Sequence, residues 1–127
     1  MLQYDEIRIE FENLAPQLKE LESALDLQNI RDEVSKLEEQ SAQPDFWNDP
    51  EKAQKAMKQK KSMEATIDNF ENLEKSLDDI EELIELAEME EEAGADEKEL
   101  ARMAAGIEKD FENFKERLEE LRLKEKE

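Results

Sequence analysis

The side chains able to do chemistry here are carboxylates, lysines and a few hydroxyls. The chain has 38 Asp and Glu, 18 Lys and Arg, and no His or Cys. Without imidazole, the ordinary acid-base catalyst of neutral pH is missing. Without thiols, disulfides and thiolate nucleophiles are excluded, and so are the usual zinc ligand sets. Carboxylate pairs remain, but they are so dense that catalytic spacings arise by chance. On exposed helix faces they lack the burial that shifts a pKa. The acidic run EMEEEAGADEKE, residues 88–99, lacks the spacing of a calcium-binding loop. No catalytic, cofactor-binding or metal-ligating residue is therefore assigned, and an enzyme is not expected.

The cations are more informative. Residues 64–99 hold 16 acids and 2 lysines, whereas residues 50–61 hold 5 lysines and 1 acid. One reading of this basic island is a contact with RNA or an acidic protein. The other is intramolecular balance against the acidic first helix, favoured because surface ion pairs are common though individually weak. The overall charge of −20 repels phosphate and disfavours broad nucleic-acid binding, DNA included.

The elements that carry these groups read as helices throughout. Ile7, Phe11, Leu14, Leu18, Leu21 and Leu25 alternate steps of four and three, a heptad seam. Pro16 falls inside that run, opposite the seam, and predicts a kink. Leu27, Ile30, Val34 and Leu37 continue the pattern, with the Asp26 carboxylate expected to cap a second helix. A long seam runs from Ala53 to Ala87, and a last one from Leu100 through Phe111 and Phe114 to Leu121. Gly94 is suited to ending a helix, and Asp96 with Glu99 to a capping box. Gly106 weakens the last helix unless it permits close helix approach.

The expectation is an all-α chain forming one helical domain over 1–127. Its helices fall at about 4–25, 27–41, 50–91 and 97–123. The last two make a long antiparallel hairpin packed by the first two, giving an elongated bundle. No apolar run approaches a membrane span, and the acidic amphipathic start is not a secretory signal. A cytoplasmic location is expected.

One stretch breaks the monotony: QPDFWNDPEKAQK, residues 43–55, with two prolines and the only tryptophan. Asp49 reads as an N-cap with Pro50 at the first helical position. Phe46 and Trp47 precede it, and Trp47 is expected to be buried, plugging the bundle end.

This stretch resembles the segment of the bacterial release factor 2 family, class 1 peptide chain release factors, in which a tryptophan run leads into a DPEKAQ-like helix start. LESALDLQNIRDEVSKLEEQ, residues 21–40, is similar to the family's Leu-Asp junction and following helix. The resemblance implies the helical N-terminal domain of a translation termination factor acting at UGA and UAA codons. It implies docking on the ribosome near the large-subunit stalk base, with the GTPase release factor as a second partner. The family's codon-reading Ser-Pro-Phe and its Gly-Gly-Gln tip do not occur here, so codon reading and peptide release are not expected of this chain. The family also continues into a further domain where this chain has RLKEKE. In many members the Leu-Asp junction is joined by a programmed frameshift, and Leu25-Asp26 stands at that place. The alternatives are a free-standing coiled-coil adaptor and an acidic nucleic-acid mimic.

Overall fold

The computed structural model describes residues 2–126. Four α-helices follow one another: α1 Leu2–Leu25, α2 Leu27–Ser41, α3 Pro50–Glu92 and α4 Glu97–Glu125. A 3-10 turn, Pro44–Asn48, joins α2 to α3, and no strand occurs among the described residues. The chain is all-α, as the three-and-four spacing predicts.

The 43 residues of α3 make a rod about 64 Å long, whereas the 29 of α4 reach about 43 Å. The two run antiparallel, with Arg117 of α4 donating to the Ser76 hydroxyl of α3. α4 therefore covers only the C-terminal part of α3. α1 and α2 lie end to end along α3 in the opposite direction. Arg8 pairs with Glu88, Arg31 with Glu71 and Lys60 with Glu38, stepping back along α3 as α1 and α2 advance. α1 is parallel to α4, with Lys115 on Glu10 and Arg122 on Gln17. Such surface contacts contribute little stability but mark the register.

The result is a three-helix body and a two-helix arm. In the body, α1, the later half of α3 and α4 enclose one core that includes Ile7, Leu18, Phe70, Ile84, Phe111 and Phe114. Tyr4 is also fully buried, and its hydroxyl donates to the Leu100 carbonyl, which satisfies the phenol away from water. In the arm, α2 lies on the first half of α3 over a thin seam. Beyond the main core only Val34 and Ala53 are buried among the described residues.

Three local features divide the rod. Asp26 takes a left-handed conformation, φ 52 and ψ 55, and is the break between α1 and α2. The expected side-chain cap is absent there. Aspartate instead supplies tolerance of the left-handed region, and its carbonyl accepts from the Ile30 N–H at 3.2 Å. Gly94, φ +87, ends α3: the Ala95 N–H returns to the Glu90 carbonyl and the Gly94 N–H to that of Glu91. This pair of bonds satisfies carbonyls that a helix end leaves open. Asp96 caps α4 by accepting from the Glu99 N–H at 2.8 Å, but the Glu99 carboxylate turns to Arg102 and leaves the box half made. α1 runs through Pro16, which sits on the exposed face.

Gly106 does not serve close packing. It faces solvent, and a Cβ there would meet nothing within 4 Å. Gly106→Ala should therefore raise unfolding stability by about 0.5–1 kcal/mol, the ordinary helix-propensity gain. Gly94→Ala should lower it by about 1–2 kcal/mol, the strain of a left-handed alanine. Denaturant melts of the two variants check both signs. A loss of stability in Gly106→Ala would mean that this face is covered in solution.

Two carboxyls of the body are held above the ordinary carboxylate range. Partial burial pushes Glu74 above the ordinary carboxylate range, and the carboxylates of Glu22 and Glu71 push it further. Partial burial does the same to Glu108, with Glu10 adding to it. The folded chain then keeps these protons to a higher pH than the unfolded chain does. Their contribution to stability thus rises as pH falls from neutrality toward the ordinary carboxylate range and declines on the way back. The melting temperature should climb over that interval, and Glu74→Gln with Glu108→Gln should flatten the climb. A melting temperature that falls between pH 7 and about 5 contradicts this account.

Candidate functional site

The outer end of the arm collects the residues that do not fit a plain coiled coil. α2 ends at Ser41, with the Ala42 N–H returning to the Glu38 carbonyl and that of Gln43 to Gln40. Pro44 opens the 3-10 turn, which the Phe46 N–H closes onto the Gln43 carbonyl at 3.1 Å. Asp49 then caps α3, its Oδ1 accepting from the Lys52 N–H at 3.2 Å, with Pro50 at the first helical position. The local sequence builds this corner by cap, proline and turn chemistry.

Trp47 is not buried. Half of it, 51%, is exposed, which corrects the expectation of a plug in the bundle end. The physical reason is the turn itself: successive residues of a 3-10 helix point about 120° apart, so Phe46 and Trp47 cannot both face inward. Phe46 takes the half-buried place. Trp47 stands edge-on to it, ring centres 5.0 Å apart and planes at 80°. Its Nε1 donates to the Ser41 carbonyl at 2.9 Å, so the indole closes the C-terminus of α2. The ring is held by these two contacts while much of its surface meets solvent.

Beside it, Phe46, Ala53 and Ala56 form the apolar wall of an open groove whose rim carries Gln40, Gln43, Asn48 and Lys52 and the carboxylates of Asp45 and Asp49. Lys60 lies toward α2 and reaches Glu38 at 3.9 Å and Glu64 at 3.7 Å. Lys52, Lys55, Lys58 and Lys61 are exposed and make no ion pair among the described residues. The expected balance against the acidic first helix is thus not what the island does. α1 lies along the other half of α3, and the island's one ion-paired lysine answers to α2 and α3.

Charge is segregated along the rod. Residues 27–66, the arm, hold 8 acids and 7 bases, whereas the remaining residues hold 30 acids and 11 bases. Nearly all the net charge sits on the body. Among the described residues no group of three or more acidic side chains is gathered to hold a metal ion. No helix is long and apolar enough to cross a membrane. Lys115, between Glu10 and Glu112, is held above the usual ammonium range by those two hydrogen bonds, and it acts as a fixed cation tying α4 to α1.

Fold and tip together define a helical rod whose distinctive chemistry is on its surface. The PCRF domain model matches residues 30–127, from within α2 through the tip, α3 and α4. The chain belongs to the PCRF domain family. Peptide chain release factor 2 of Listeria monocytogenes is 44% identical over 50 residues, 39% of this chain and 14% of that protein. Its namesake from Streptomyces avermitilis is 44% identical over 46 residues, 36% of this chain and 12% of the relative. That of Nocardia farcinica is 36% identical over 52 residues, 41% of this chain and 14% of the relative. The matched stretch thus spans about one seventh of each relative's length.

The tip geometry sets the role of Trp47 in stability. Trp47→Ala removes one hydrogen bond and one edge contact without opening a core cavity. It should cost about 1–3 kcal/mol, less than a buried aromatic truncation. Trp47→Phe should recover the ring contact and lose only the N–H. Tryptophan emission of the folded protein should be close to that of a solvent-exposed indole. A strongly blue-shifted emission maximum would show that the tip is closed in solution.

Proposed function

We propose that residues 1–127 are the single N-terminal helical domain of a translation termination factor, whose role is docking and not chemistry. Membership of the PCRF domain family, together with likeness to proteins named peptide chain release factor 2, carries this reading. The parent factor would direct release at UGA and UAA codons in the cytoplasm, with codon reading and hydrolysis performed by segments this chain does not contain. The helical domain would position the factor against the ribosome at the large-subunit stalk base, with the GTPase release factor as a second partner. Its shape suits docking. The acidic body is a packed three-helix unit, and the arm carries a nearly neutral, lysine-studded tip away from it. An acidic nucleic-acid mimic is a poorer reading, because four exposed lysines on the arm interrupt the negative face.

Pelleting the isolated chain with purified ribosomal subunits tests this. It should sediment with large subunits and not with small ones, weakly, since a single small domain supplies only part of a full factor's contact area. It should release no peptide from a stalled ribosome at any codon. Failure to sediment with large subunits at low salt, or codon-dependent release, overturns the reading.

A further inference from the structure

We infer that the arm tip is a binding surface for unpaired RNA, with Trp47 as a base-stacking platform and Lys52, Lys55, Lys58 and Lys61 as a phosphate track. The inference rests on the ribosome-docking reading and names the chemistry of one contact within it.

The four lysines recur every third residue. On an α-helix each such step rises about 4.5 Å and turns back by about 60°. The four side chains therefore sweep about half of the circumference of α3 over roughly 13.5 Å of its outward side. The four are neighbours, exposed and without an ion pair among the described residues, so their charge is available to an anionic partner.

Trp47 supplies what a charge track lacks. Its indole is held by the Ser41 carbonyl and the edge of Phe46, and it is half exposed. An aromatic ring already ordered in this way loses little freedom on stacking, and any base can stack on it. The carboxamides of Gln40 and Gln43, suited to base edges, stand on the neighbouring groove rim together with the carboxylates of Asp45 and Asp49, which keep phosphates out of the groove and on the lysine side. An extended acidic peptide would satisfy the lysines but make no use of the exposed indole face. Duplex RNA would present phosphates with its bases already stacked. The combination selects unpaired nucleotides. The strongly acidic body repels phosphate, so the contact is confined to the tip and binding is weak outside a larger docked complex.

The test uses the whole chain and a 12-nucleotide single-stranded oligoadenylate, with a 12-base-pair RNA duplex as control, at low salt. The single strand should quench the emission of Trp47, the only tryptophan, and the duplex should not. Four released counterions predict a slope of log K against log salt of about −2.8. Replacing the four lysines with Gln should bring that slope close to zero without lowering the melting temperature. With binding read instead from the anisotropy of a fluorescein-labelled oligoadenylate, Trp47→Ala should weaken binding about 5- to 150-fold, and Trp47→Phe should restore part of the loss. Absence of quenching, or equal quenching by the duplex, overturns the inference. So does ribosome binding that both variants leave unchanged; in that outcome the docking reading survives and only the RNA contact falls. If the lysine variant weakens ribosome binding while the oligonucleotide leaves Trp47 emission unmoved, an acidic protein is the partner and the RNA surface is rejected.

Discussion

The structure depends on one mismatch of length. α3 carries an apolar seam along its whole extent, and its hairpin partner α4 is fourteen residues shorter. A seam left bare over that distance would expose apolar surface at roughly 25 cal/mol per Å². α1 and α2 resolve this by lying end to end along α3. The two meet different partners. α1 must pack against α3 and α4 together, whereas α2 packs against α3 alone. The left-handed residue at Asp26 supplies the break, close to where α4 ends: Ala24, Leu25, Ile30 and Leu121 come together there.

The same mismatch sorts the energetics. Where three helices meet, the core contains Phe70, Phe111, Phe114 and Tyr4 and closes around one continuous cluster. Where two meet, Val34 and Ala53 are the buried residues beyond that cluster, and Ile30, Leu37, Met57 and Met63 are only half-buried. Charge follows the division. The body tolerates a large acidic excess because its core supplies the stability to offset self-repulsion. The arm, with little apolar burial to spare, is close to electrically balanced.

Much of this was legible in the residues and some of it was not, for definable reasons. Period decides helix against strand, so the all-α architecture follows from seams such as Leu100 to Leu121. Caps that depend on near neighbours were equally plain, as Asp49 and Asp96 show. Side-chain direction at irregular backbone was not. Asp26 has the composition of an N-cap, but at its φ of 52 the carboxylate caps nothing. Trp47 has the size of a core residue, but the 3-10 turn gives the inward place to Phe46. Tyr4 lay outside the seam as read from Ile7 onward, and its burial depends on a carbonyl 96 residues away. The basic island was visible as composition. That it lies beside α2, away from the acidic α1, depends on tertiary register, which local spacing does not encode.

These departures cluster at the places where backbone and core part company, and the tip is the clearest of them. It is held by short-range polar bonds and two prolines instead of by a core. Its order comes from the Ser41 carbonyl engaging the indole, the Gln43 carbonyl closing the turn and the Asp49 carboxylate capping α3. A hydrophobic solution would have buried Trp47 and used the indole for packing. Polar closure leaves about half of the residue outside while fixing the plane of its ring. An exposed aromatic held in this way contributes less to folding than a buried one. Its ring is thus presented to solvent in a fixed orientation, on the arm, where the chain is close to electrically balanced.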